Sequence, residues 1–113
     1  MELSGSRVEV AKSTHGWSVA GEIDAWTSRI LVEAFAEVPD AGDSPIELDL
    51  AGVSFIDSSG LHVLLELAER VTATGGSVVI RNPARAVQRL LVITRLESTF
   101  GLDGTDPPTD RGE

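Results

Sequence analysis

Between Ile46 and Leu67 the chain reads IELDLAGVSFIDSSGLHVLLEL, and its hydrophobic period changes partway along. Ile46, Leu48 and Leu50 alternate with Glu47 and Asp49, the period of a half-buried strand. From Leu61 the apolar residues Leu61, Leu64, Leu65, Ala68 and Val71 fall three and four apart, the spacing of one helix face. The join is the short polar turn Asp57-Ser58-Ser59-Gly60, with one acid and two hydroxyls where a helix begins. Backbone N–H groups lack partners at such a place, and the helix dipole favours negative charge. A Ser there can cap the helix, bind an anion or carry a phosphate.

The other elements arrange themselves around this pair. Val8 and Val10 alternate with Arg7 and Glu9 in a first strand. Thr14-His15-Gly16 turns the chain into a second strand through Trp17, Val19 and Gly21, giving an antiparallel hairpin. Gly21-Glu22-Ile23-Asp24 ends that strand. Asp24 is expected to cap a helix with Trp26, Ile30, Leu31, Ala34, Phe35 and Val38 on its apolar side, stopped by Pro39-Asp40-Ala41-Gly42. The helix after the DSSG turn stops at Gly75-Gly76. Ser77–Arg81 is a further strand, and Asn82-Pro83 reads as an N-cap followed by proline at the first helical position. The third helix has Val87, Leu90, Leu91 and Thr94 inside, with Arg85, Gln88 and Arg89 outside. Residues 95–102 form a turn in which Phe100 and Leu102 close one end of the core. The expected order is β-β-α-β-α-β-α: a single α/β domain over residues 1–102, a four-stranded mixed sheet with helices mainly on one face. Residues 103–113, DGTDPPTDRGE, are expected to be a disordered acidic tail.

Composition narrows what such a domain does. A length of 113 residues with 42% hydrophobic residues supports a single core. The net charge of −9 repels phosphate backbones and anionic lipid heads, so neither nucleic acid nor a membrane is an expected partner. Without cysteine there is no disulfide and no thiolate metal site. No apolar run reaches the length of a signal peptide or a membrane span, so a cytoplasmic location is expected. A monomer is the default state, although an edge strand could pair.

Catalytic and metal chemistry find little support. Ser58 and His62 lie four apart and could form a nucleophile with its base, but the two glycines of a nucleophile elbow are missing and nothing orients His62. Asp24, Asp57, His15 and His62 show no metal-ligand spacing, so neither metal nor cofactor is expected. The DSSG turn is the better candidate. Its plainest role is capping, yet three consecutive polar groups exceed what a cap needs. Val63 falls roughly opposite the Leu61/Leu65/Ala68 stripe, which places an exposed apolar residue beside Ser59 and His62 as a contact surface.

These motifs, in this order, resemble the STAS domains of bacterial anti-sigma factor antagonists. The likeness rests on Gly21-Glu22-Ile23-Asp24, on Val53-Ser54-Phe55-Ile56 leading into Asp57-Ser58-Ser59-Gly60-Leu61, and on Gly75-Gly76 before SVVIR and Pro83–Leu90. The resemblance implies a partner-switching protein without enzymatic activity. The unmodified antagonist binds an anti-sigma factor, a serine kinase with a histidine-kinase-like ATP-binding fold, and so frees a sigma factor for transcription. Phosphorylation of the Ser that follows the Asp, here Ser58, releases the antagonist, and a serine phosphatase resets it. Asp24 and Asp57 match family acids near that hydroxyl, and Ser59 matches its neighbour. Together with Gly60, His62 and Val63 they make up the expected partner-binding surroundings of the phosphosite. His62 stands where the family often has Gly, a bulky group on the docking face. Two other readings stand beside this one: a STAS scaffold or sensor in a stress-signalling complex, and a small hydrolase using Ser58 and His62.

Overall fold

The alternating apolar residues all turn to one side of a single sheet. The computed structural model describes residues 2–4 and 7–102, so the tail expected over 103–113 lies outside the described residues. Strands β1 (Glu2–Ser4), β2 (Val8–Ser13), β3 (Gly16–Ile23), β4 (Ile46–Ile56) and β5 (Val78–Arg81) lie side by side in chain order. β1–β2 and β2–β3 are antiparallel, whereas β3–β4 and β4–β5 are parallel. The four strands expected from the sequence are β2 to β5, and the short β1 extends the sheet at the β2 edge.

Register lines the core residues up. Leu48 lies beside Trp17 on one side and Ile80 on the other, and Val10 lies beside Val19. All of these are buried. Helices α1 (Ser28–Ala34) and α2 (Ser58–Ala73) cover this side, with the Phe35 ring 4.6 Å from that of Trp17. The residues between, Glu9, Ser18, Glu47, Asp49 and Arg81, turn to the opposite face and keep contact with solvent. Helix α3 (Arg85–Thr94) packs along β4, and a single 3₁₀ turn, Ser98–Phe100, packs against β5. Phe100 is fully buried, as the sequence led one to expect of a residue closing the core. At Gly101, φ is +75° and a Cβ would lie 2.7 Å from Val79 Cγ1, so this turn needs glycine.

Three local expectations are corrected. Trp26 is 69% exposed and Val38 is 38% exposed, because both lie outside the short α1 and not on its buried stripe. Asn82 does not cap α3: Pro83 disfavours a helical residue before it, and Asn82 takes φ 49° instead. The helix therefore starts two residues later, with Ala84 at its N-cap and no side-chain cap. Thr94 is exposed, its hydroxyl turned back to the Leu90 carbonyl at 2.7 Å.

Candidate functional site

The site forms where parallel strands β3 and β4 end side by side. The Asp57 N–H donates to the Ile23 carbonyl at 3.1 Å, locking the two ends together. Asp57 has extended backbone (φ −115°, ψ −171°) and is the N-cap of α2. Its Oδ1 accepts from Ser59 N–H at 2.9 Å and Gly60 N–H at 3.3 Å, and its carbonyl accepts from Leu61 N–H at 3.0 Å. Asp57 is thus the cap, and Ser58 is left as the first helical residue, exposed to solvent. Ser59 is half-buried.

Gly60 brings the helix down onto the strands. It is buried, and a Cβ there would lie 2.4 Å from Ile23 Cγ2 and 3.0 Å from Ile56 Cγ1. Both isoleucines are buried and branched at Cβ, so neither can swing clear. Gly60→Ala is expected to destabilise the fold by about 1–3 kcal/mol through overpacking. Urea unfolding measures this, and an unchanged midpoint would mean that α2 has room to lift.

Asp24 begins the other strand-end turn. Its Oδ1 accepts from Trp26 N–H at 3.0 Å and Thr27 N–H at 2.9 Å, while the Thr27 hydroxyl accepts from Asp24 N–H at 2.9 Å. The two residues cap each other across the turn before α1. Asp24 therefore acts three residues earlier than a cap directly on α1 would. Its Oδ2 lies 2.7 Å from the Arg7 guanidinium, which also holds Glu22 at 2.7 Å. The Thr27 N–H first, and then Arg7, lower the Asp24 carboxyl from 3.8 to about 2.

A carboxyl held low in the folded state contributes stability that is present above its ordinary pKa of 3.8 and lost as pH falls through about 2. Wild type is therefore expected to be more stable than Asp24→Asn near neutrality, with the gap closing between about pH 4 and about pH 2. Urea midpoints at several pH values test this. A gap that stays constant down to pH 2 would assign the difference to packing and not to charge.

Residues 62 and 63 depart from expectation in different ways. His62 is exposed, but its Nε2 lies 3.3 Å from Glu66 one turn further along, and no hydrogen bond joins it to Ser58 among the described residues. Val63 is only 7% exposed, so it is not the exposed contact residue the sequence suggested. The buried arc of α2 is wider than a single stripe: Leu61, Leu64, Ala68 and Val71 are joined by Val63 and Leu67, and Val63 lines the groove between α2 and α1. No group of three metal-ligating side chains comes together among the described residues.

Sequence reasoning missed Arg7, Glu22 and Thr27 as parts of this site. The three-residue Asp24/Thr27 spacing was a usable capping signal, whereas the Arg7 pairing depends on strand register and had none. It also missed that Trp26 and Phe55, 69% and 48% exposed, stand on the same two strand ends as Asp24 and Asp57. The Arg29 guanidinium lies over the Trp26 ring at 5.2 Å.

The fold as a whole has counterparts among known proteins. The family model described as Mlab, STAS domain, matches residues 6–102. An anti-sigma-B factor antagonist of Bacillus subtilis is 32% identical over 85 residues, which is 75% of this chain and 77% of that protein. The anti-sigma-F factor antagonist RsfB of Mycobacterium tuberculosis is 34% identical over 90 residues, covering 78% of this chain and 71% of its own length. The crystal structure of an anti-sigma factor antagonist from Mycobacterium paratuberculosis superposes with a TM-score of 0.67 at 31% identity, covering 88% of each chain. Matched over residues 6–102 by a family model, and over 75% and 78% of its length by relatives more than 30% identical, the chain belongs to the STAS-domain family.

Proposed function

We propose that this chain is an anti-sigma factor antagonist, that its partner is an anti-sigma factor with serine kinase activity, and that phosphorylation of Ser58 ends their association. The observation that carries the reading is the exposed Ser58 hydroxyl at the first position of α2, next to a cap whose carboxylate has already taken the nearest N–H donors. The capping role is filled by Asp57, so the Ser58 hydroxyl is not needed for it. The relatives named above as anti-sigma factor antagonists support the partner class. Trp26 and Phe55 give the same end of the sheet two exposed rings, the kind of side chain that anchors protein interfaces.

The proposed role is binding and not catalysis. His62 turns to Glu66, which leaves Ser58 without the base that a hydrolase requires. A serine phosphatase would return the antagonist to its binding form, and the whole exchange is assigned to the cytoplasm.

Intact-mass spectrometry after incubation with ATP and each candidate anti-sigma kinase tests the reading, with Ser58→Ala alongside. The expected result is one added phosphate on wild type and none on the variant. Binding without phosphate would leave an antagonist under other control. Neither phosphate nor binding would favour a scaffold role in a signalling complex.

A further inference from the structure

Charge is unevenly placed along this chain. From Arg70 to Leu96 there are five arginines and no acid, in a protein with nine basic and eighteen acidic residues. Arg85, Arg89, Val92 and Ile93 recur at helical spacing on α3, and all four are exposed, Val92 by 41% and Ile93 by 71%. Val87 and Leu91 occupy the buried flank of the same helix. Arg81 pairs with Glu47, but neither Arg85 nor Arg89 has an ion pair among the described residues. The outward face of α3 is therefore an apolar pair flanked by unpaired positive charge.

A surface of opposite character lies between α1 and α2. A groove of about 310 Å³ is lined there by Val32, Ala36, Val63 and Glu66, with Val32 itself 53% exposed. Arg70 also lines it, but its guanidinium is tied to the Phe35 carbonyl at 2.7 Å. Glu33, Glu66 and Glu69 are exposed on the two helices that form it, and Glu37 is exposed just past the end of α1. This is an apolar groove flanked by acids.

We propose that the chain associates head to tail with a second copy of itself, the exposed face of α3 seating in the α1–α2 groove of the next molecule. Val92 and Ile93 meet Val32 and Ala36, while Arg85 and Arg89 meet Glu33 and Glu66. Complementary charge selects this occupant. Two α3 faces would set arginine against arginine, and the net charge of −9 disfavours a nucleic acid. Because the two surfaces differ, the contact is heterologous and builds open chains.

One helix face buries less than a standard interface, so a dissociation constant on the order of 0.1–1 mM is expected. The monomer expected from the sequence is then the dilute state. At roughly 0.15 M salt the Debye length of about 8 Å screens the overall repulsion more than it does the contact pairs. The groove borders the His62–Glu66 pair, so association would shield one flank of the switch helix. The proposal stands whether or not Ser58 is a phosphosite.

The test combines sedimentation equilibrium with amide chemical shifts, on wild type, Arg85→Glu/Arg89→Glu, Glu33→Lys/Glu66→Lys, and an equimolar mixture of the two variants. Between about 20 µM and about 1 mM, wild type should rise in average mass, with dilution shifts confined to α3 and to the groove helices. Each variant alone should stay monomeric. The mixture should regain growth in average mass, because the intact arginines meet the intact groove and the two charge reversals complement each other. Wild type without dilution shifts overturns the proposal whatever the variants do. A glutamate variant that self-associates like wild type also overturns it, as does wild type that binds phosphatidylserine vesicles through Arg85 and Arg89 while remaining monomeric.

Discussion

Ser58→Asp is expected to weaken binding to the anti-sigma kinase more than about 100-fold, and phosphorylation is expected to do at least as much. A helix start could in principle absorb the new charge with its own N–H groups. Here the Ser59 and Gly60 N–H groups are already held by Asp57 Oδ1, so a phosphate on Ser58 does not displace them without undoing the cap. The phosphate, about −1.5 to −2 in charge, is left facing outward. Asp24, held at about 2, stays ionised at any working pH on the neighbouring strand end. A partner that closes over this surface must strip water from several negative charges at once. A difference of about 3 kcal/mol between the two forms gives the expected factor. Calorimetric titration of wild type, Ser58→Ala and Ser58→Asp against the kinase measures it. Ser58→Ala should bind nearly as wild type does, and all three should share one amide spectrum outside the turn. An Asp variant with wild-type affinity would sink the charge mechanism, because the protein would then have to switch by changing shape.

Phe100→Ala should have the largest effect on stability, a loss of about 3–5 kcal/mol. The ring is fully buried in the 3₁₀ turn against β5, and Gly101 at φ +75° brings the chain in close to Val79. β5 is four residues long and, among the described residues, paired on one side only, so it depends on this cover. Against a typical total of about 5–15 kcal/mol the loss would leave the domain marginal. Urea unfolding decides the matter. A loss below about 1 kcal/mol would mean that the turn collapses readily into the vacated space.

The long periodic elements were legible because burial on one side imposes a period that residues such as Ile46, Leu48 and Leu50 display directly. The DSSG turn was legible for a related reason: the period changes across it. Helix starts were read less well. Asp24 was identified as a capping residue, but its reciprocal partner Thr27 went unnoticed and α1 was started too early, which left Trp26 on the wrong side of the surface. Val63 was misjudged because a single-stripe wheel treats α2 as packed on the sheet alone, whereas α1 covers a second flank. The Arg7–Glu22–Asp24 cluster joins residues that meet through strand pairing, which no local spacing records. Whether Ser58 receives a phosphate is a property of a partner, and neither the sequence nor the fold of this chain contains it.

The bond from Asp57 N–H to the Ile23 carbonyl has a consequence for how the site comes into being. Its two residues are far apart in the chain, and the strands they end are parallel, so this pairing closes a long loop that holds α1. Non-local parallel pairing is entropically late in folding. A chain with α2 formed but β3 not yet docked would present a serine without the neighbouring strand end, its acid or its aromatic ring. Under the proposed switch, a partner that reads the assembled surface would act only on molecules whose sheet has closed.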